Sequence, residues 1–158
     1  MEPVLNAKFG IHIAREYTLG RAKKTIGETD LYLFSQKDGI KQEWYILENK
    51  VIENFSKQYE QLMGYINPNF KAGITLSINK DKEWEEAFDY ICEKLDNLKE
   101  KRDEFAPIMI DRKIGTNGTR YVKSEHIVPE TGHTMPVYHL VLQLSDDARQ
   151  TVAVKARR

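Results

Sequence analysis

A single cysteine, Cys92, is all that the sequence offers for thiol chemistry. One cysteine excludes an internal disulfide and fits a reducing, cytoplasmic setting. No run of about 18 apolar residues is present, which excludes a helical membrane span. The first residues lack the hydrophobic region of a secretory signal. Net charge is missing too: 24 Lys and Arg balance 24 Asp and Glu. Neutrality neither supports nor excludes a nucleic-acid partner, because acid elsewhere can offset a basic face. No repeat, low-complexity tract or linker divides the chain. Its 158 residues suffice for one domain with its own core.

What is there gathers between Gly27 and Tyr65. The run Gly27-Glu28-Thr29-Asp30-Leu31-Tyr32-Leu33-Phe34 has strand character. So does Glu43-Trp44-Tyr45-Ile46-Leu47-Glu48-Asn49-Lys50-Val51-Ile52. The polar, glycine-containing break Gln36-Lys37-Asp38-Gly39 joins them as a hairpin. Strand side chains alternate faces, so Ile46, Glu48 and Lys50 share one face, and Glu28, Asp30 and Tyr32 share another. The apolar stretch Trp44-Tyr45-Ile46-Leu47 suits a strand buried on both sides. If the two runs pair, Asp30 and Glu48 converge at one end, with Lys50 on the same side. A helix follows, in which Gln58, Gln61 and Tyr65 fall on one face beside the apolar stripe Tyr59, Leu62, Met63 and Ile66. Asn67-Pro68-Asn69 ends it.

Two carboxylates and a lysine at one strand end suit metal-assisted hydrolysis of a phosphodiester. Carboxylates hold Mg²⁺ through oxygen, the metal acidifies water, and a lysine stabilises developing negative charge. An isolated Glu-x-Lys is ordinarily a solvated or salt-bridged pair, so the neighbouring residues matter.

Those neighbours resemble the PD-(D/E)XK nuclease superfamily. Ile46-Leu47-Glu48-Asn49-Lys50-Val51 resembles its IENK-like strand, and Gly27-Glu28-Thr29-Asp30 its Gly-x-x-Asp motif. Gln61-Leu62-Met63-Gly64-Tyr65 is similar to the Gln-x-x-x-Tyr helix of RecB-type members. The likeness covers roughly residues 10 to 78. It implies that Asp30 and Glu48 bind Mg²⁺, with Mn²⁺ as a substitute, and that Lys50 acts on the attacking water. Gln61 and Tyr65 would support the site or contact a nucleic-acid backbone. Glu16, on the first core strand, is a candidate third acid for the metal. Thr29 stands where the family often has proline, and no counterpart of the family's first helix precedes residue 11.

Elsewhere, Phe9 to Leu19 reads as a strand, with His12 an ordinary strand residue, and Arg21-Ala22-Lys23-Lys24 as a basic turn. Ala72 to Ile78 reads as another strand, favoured over a helix by Gly73 and the β-branched residues. From Asp81 to about Lys101, Trp84, Ala87, Phe88, Ile91, Cys92, Leu95 and Leu98 recur at helical spacing. Asp81 is the expected N-cap. Cys92 lies within this stripe as a packed apolar residue. Pro107 to Ile110 forms a short strand and Arg112 to Gly118 a polar loop. A hairpin with arms Arg120 to Val128 and Met135 to Leu144 turns around Pro129-Glu130-Thr131-Gly132. His126, His133 and His139 lie here, without the cysteine or compact ligand pair of a zinc site. Arg149 to Arg158 is a basic tail.

The expected fold is α/β: a restriction-endonuclease-like mixed sheet with flanking helices. Its core spans about 9–101, with a C-terminal hairpin extension at about 106–145 and the tail at 149–158. The expected function is a Mg²⁺-dependent nuclease acting on DNA before RNA. An inactive nuclease-like domain serving nucleic-acid binding or assembly is an alternative, as is an interaction domain built on the long helix. The short N-terminus leaves no room for a flanking helix. A homo-oligomer or a place in a larger protein would complete the sheet.

Overall fold

The computed structural model describes residues 11–22, 25–37, 40–101, 105–115 and 118–143, with the backbone alone for strand residues within 11–32 and 35–44. The basic tail at 149–158 lies outside the described residues.

Three long strands open the fold: β1 (Ile11–Ala22), β2 (Thr25–Lys37) and β3 (Ile40–Val51). They form an antiparallel meander, and the expected hairpin between β2 and β3 closes with Lys37 opposite Ile40. A 3-10 turn at Ile52–Asn54 leads into helix α1 (Phe55–Tyr65). Strand β4 (Ala72–Asn79) then returns parallel to β3. Helix α2 (Trp84–Glu100) follows, and the last described elements are β5 (Met109–Ile114), β6 (Arg120–Ile127) and β7 (Thr134–Gln143). All seven strands belong to one mixed sheet in the order β1-β2-β3-β4-β7-β6-β5. The C-terminal hairpin therefore extends the sheet, because β7 lies parallel to β4.

Several expectations need correction. Arg21 and Ala22, read as part of a basic turn, end β1 and pair with Ile26 and Thr25 of β2. Pro107 and Ile108, read as strand, precede β5. The N-cap of α2 is Glu83 and not Asp81: Glu83 and Glu86 close a reciprocal capping box. Arg112 to Ile114 belong to β5 and are not loop, because they pair with β6 through Arg112↔Val122, Lys113↔Tyr121 and Ile114↔Arg120. Asn67 ends α1 as expected, with its side-chain oxygen accepting from the Asn69 N–H.

Both helices pack on the same sheet face. One buried cluster joins Phe55 and Tyr59 of α1 with Ala87, Phe88, Ile91 and Leu95 of α2 and with Val122 and Val141. A second joins Leu62 and Tyr65 to Ile46, Met135 and Val137. The close approach of α1 to β4 needs Gly73, where an added Cβ would lie 3.1 Å from Leu62 Cδ2 and 3.2 Å from Val137 Cγ2. On the opposite face, Ile74, Leu76, Ile78, Tyr138 and Leu140 are half-buried, and no helix among the described residues covers them. None of the described helices is long and apolar enough to cross a membrane.

Candidate functional site

The register of the sheet fixes where the acidic positions fall. Leu31 pairs with Leu47, so the next residues on the two strands, Asp30 and Glu48, are neighbours just beyond that rung. Arg15↔Leu31 and Tyr17↔Thr29 bracket Glu16 and Asp30 in the same way. Glu48 in turn pairs with Thr75, and Thr75 with His139. Glu16, Asp30, Glu48, Thr75 and His139 thus stand at successive strand positions along one row across the sheet.

Glu48 is 2% exposed, beneath α1. Lys50, two residues on and so on the same face of β3, is half-buried. The expectation that the Trp44–Leu47 stretch is buried on both sides holds for Ile46 and Leu47, which lie on opposite faces and are both buried. The side chains of Glu16 and Asp30 lie outside those described. Among the described residues, no group of three or more His, Cys, Asp or Glu is arranged to hold a metal.

Helix α1 does not present its three polar residues together. Gln61 is exposed, whereas Tyr65 is buried in the second core cluster. Gln58 is the residue that reaches the strands. Its Nε2 donates to the Glu48 carbonyl at 2.7 Å and to the Leu76 carbonyl at 3.1 Å. Its Oε1 accepts from the Ser77 hydroxyl at 3.0 Å. One side chain thus ties β3 to β4 at the rung that carries Glu48. Sequence reasoning put Gln58 on the same face as Gln61 and Tyr65 but gave it no role. Its signal was the position three residues after Phe55, on the buried side of an amphipathic helix.

Beside this lies a buried polar chain that the sequence did not reveal. Thr75 Oγ1 lies 2.9 Å from His139 Nδ1, and His139 Nε2 lies 2.7 Å from Ser124 Oγ. Ser124 Oγ is also 2.7 Å from His126 Nε2, whose Nδ1 is 3.3 Å from the Tyr59 hydroxyl. Tyr59 bonds to the Phe105 carbonyl. That carbonyl only accepts, so Tyr59 donates to it, and every other proton follows if each imidazole is neutral. His126 carries its proton on Nδ1 and His139 on Nε2. Ser124 donates to His126, and Thr75 donates to His139. Neutrality is what burial imposes. Desolvation lowers His126 to about 4, opposed by the Phe105 carbonyl. Desolvation and then the nearby His126 lower His139 to about 3.

No family model, curated protein or solved structure matches the chain.

The chemistry of the site therefore rests on its own residues. His126 and His139 are committed to the buried chain, and His133 is exposed in the β6–β7 turn, so the three do not assemble a zinc site. Burial pushes the Cys92 thiol up, against a nucleophilic role. A cavity of about 340 Å³ opens between α2 and β5, lined by Glu85, Phe88, Arg112, Ile114 and Tyr121 among others. It lies at the far edge of the sheet from the acidic row and shares no residue with it. Oxygen donors at Asp30 and Glu48, with Glu16 beside them, fit a hard divalent cation such as Mg²⁺ in donor type.

Proposed function

We propose that this chain is a metal-dependent nuclease that hydrolyses phosphodiester bonds, with DNA as its substrate. The observation that supports this reading is the register that makes Asp30 and Glu48 neighbours on adjacent antiparallel strands, with Lys50 on the face of β3 that carries Glu48. Asp30 and Glu48 would hold Mg²⁺ or Mn²⁺, with Glu16 as a third acid. When bound, the cation supplies a polarised phosphoryl oxygen and an acidified water. Lys50 is a cation beside that site and not a ligand. Its ammonium orients the attacking water and stabilises the charge that grows on the phosphoryl oxygens. Gln58 positions Glu48 through its backbone. Gln61, exposed on α1, is available to a nucleic-acid backbone, and Tyr65 supports the helix from beneath.

Plasmid and linear DNA incubated with Mg²⁺, Mn²⁺ or EDTA test the reading. Cleavage is expected with either metal and not with EDTA. Asp30→Asn and Glu48→Gln should lose both calorimetric Mn²⁺ binding and cleavage. Lys50→Ala should bind Mn²⁺ at least as well, because a repelling charge is gone. It should nevertheless cleave about 100-fold more slowly or worse. Normal cleavage by folded Lys50→Ala would remove the catalytic assignment. DNA binding without cleavage by the unaltered chain would favour an inactive, nuclease-like binding domain.

A further inference from the structure

Strand β5 ends the sheet: it pairs with β6 and, among the described residues, with nothing on its outer side. Five large hydrophobic side chains are exposed among the described residues, and three lie in or next to this strand: Ile108 (46%), Met109 (37%) and Ile114 (72%). A free edge with exposed apolar side chains is a template for another strand.

The direction of the open backbone groups follows from the ladder. The Gly115 N–H donates to the Thr119 carbonyl at 2.7 Å, one rung beyond Ile114↔Arg120. In an antiparallel pair, hydrogen-bonded rungs alternate with open ones. The odd-numbered residues of β5 therefore turn their backbone groups toward β6. Ile110, Arg112 and Ile114 turn theirs outward. Among the described residues, these three N–H and three C=O groups have no strand partner.

We propose that a second copy of this chain pairs with β5, antiparallel and around a two-fold axis, to make one continuous sheet across the dimer. A two-fold axis allows only registers in which outward-facing residues meet outward-facing residues. With Arg112 opposite its own symmetry mate, Ile110 meets Ile114 of the partner copy, and all six outward groups are bonded. Asp111 and Lys113 already pair with each other along the strand at 3.0 Å, and the intervening rungs set each against its opposite charge on the other copy, twice, so that the four charges alternate in sign around the axis. A shift by one rung pair in either direction sets Asp111 against Asp111 or Lys113 against Lys113 and leaves backbone groups unpaired. The central Arg112 is held by Asp89 of α2, which offsets the like charges at the axis. Charge complementarity and full use of the edge thus select one register. A strand from a different protein would meet the backbone equally well, but nothing would ask it for Lys and Asp in this order.

The test is sedimentation of the full chain over a range of concentrations, with substitutions at exposed positions. Concentration-dependent dimer is expected. Ile114→Lys and Asp111→Lys should each weaken it about tenfold or more, because every change acts twice. The exchange Asp111→Lys with Lys113→Asp should restore it. In a Cys92→Ser background, Arg112→Cys should yield a disulfide-linked dimer on mild oxidation, since a hydrogen-bonded rung brings Cα atoms within disulfide reach. Lys113→Cys should not, because its partner is residue 111. A monomer at every concentration would overturn the proposal. So would a dimer indifferent to Asp111→Lys, an exchange that fails to restore pairing, or cross-linking as ready at 113 as at 112. Unchanged circular dichroism and thermal melting separate lost pairing from lost folding.

Discussion

At the scale of single residues, Gln58 shows how one side chain can serve both stability and the site. Its amide bonds two strand carbonyls and a buried hydroxyl, and no other residue type of that size both donates and accepts there. Gln58→Leu keeps the volume but leaves those groups without their partner in the core. A loss of about 2–3 kcal/mol is expected in urea unfolding. Gln61→Ala, exposed three residues away, should stay within about 0.5 kcal/mol. If Gln61→Ala proves the more costly of the two, the assignment of the strap to Gln58 is wrong. On the proposed reading, Gln58→Leu also slows cleavage, since the Glu48 carbonyl that it anchors belongs to the metal-binding strand.

Among the elements, α2 provides a direct comparison of sequence and structure. Asp81 satisfies the usual N-cap preference, but Glu83 and Glu86 form the reciprocal box. Glu83→Ala should cost about 1 kcal/mol, and Asp81→Ala close to nothing; a thermal melt of each variant decides between them. The helix itself was legible because its apolar residues keep a 3.6-residue period over four turns. The meander was legible because polar breaks separate runs of strand-forming residues, and those runs also made the Asp30–Glu48 juxtaposition readable. Strand β5 was half hidden. Asp-Arg-Lys in its middle reads as loop, because an edge strand needs no apolar alternation to be paired on one side. The buried chain was invisible for a related reason. In β4, Thr75, Ser77 and Asn79 occupy the helix-covered face, while Ile74, Leu76 and Ile78 occupy the other. Polar residues at alternate positions ordinarily mark the solvated side. Their complements make them interior: His139 and Gln143, far along the chain on β7, for Thr75 and Asn79, and Gln58 of α1 for Ser77.

For the whole molecule, the two buried histidines couple folding to acidity. Both are neutral when folded, with pKa values of about 4 and about 3, against 6.5 for the free side chain. Between pH 6.5 and 4 the unfolded chain binds up to two more protons than the folded one at these sites. Stability is therefore full above pH 6.5 and falls as the solution is acidified. At 1.36 kcal/mol per unit and site, lowering the pH from 7 to 5 should remove about 4 kcal/mol. Urea midpoints at the two pH values measure the effect, and His126→Gln with His139→Gln should flatten it. Equal midpoints would mean that the histidines are accessible and charged in the native state. The strand order bears on how the chain reaches that state. The meander of β1, β2 and β3 joins near neighbours, whereas the β4–β7 ladder joins residues 64 positions apart, as in Thr75 and His139. Loop closure makes such a seam costly to form before its surroundings are in place. Val137→Ala, at the start of that seam, should accelerate unfolding and leave the refolding rate nearly untouched, a φ value near zero in a chevron measurement. A φ value near one would reverse the order of events. On the expected order, the chain folds as two separate sheets that are joined into one only after the rate-limiting barrier has been passed.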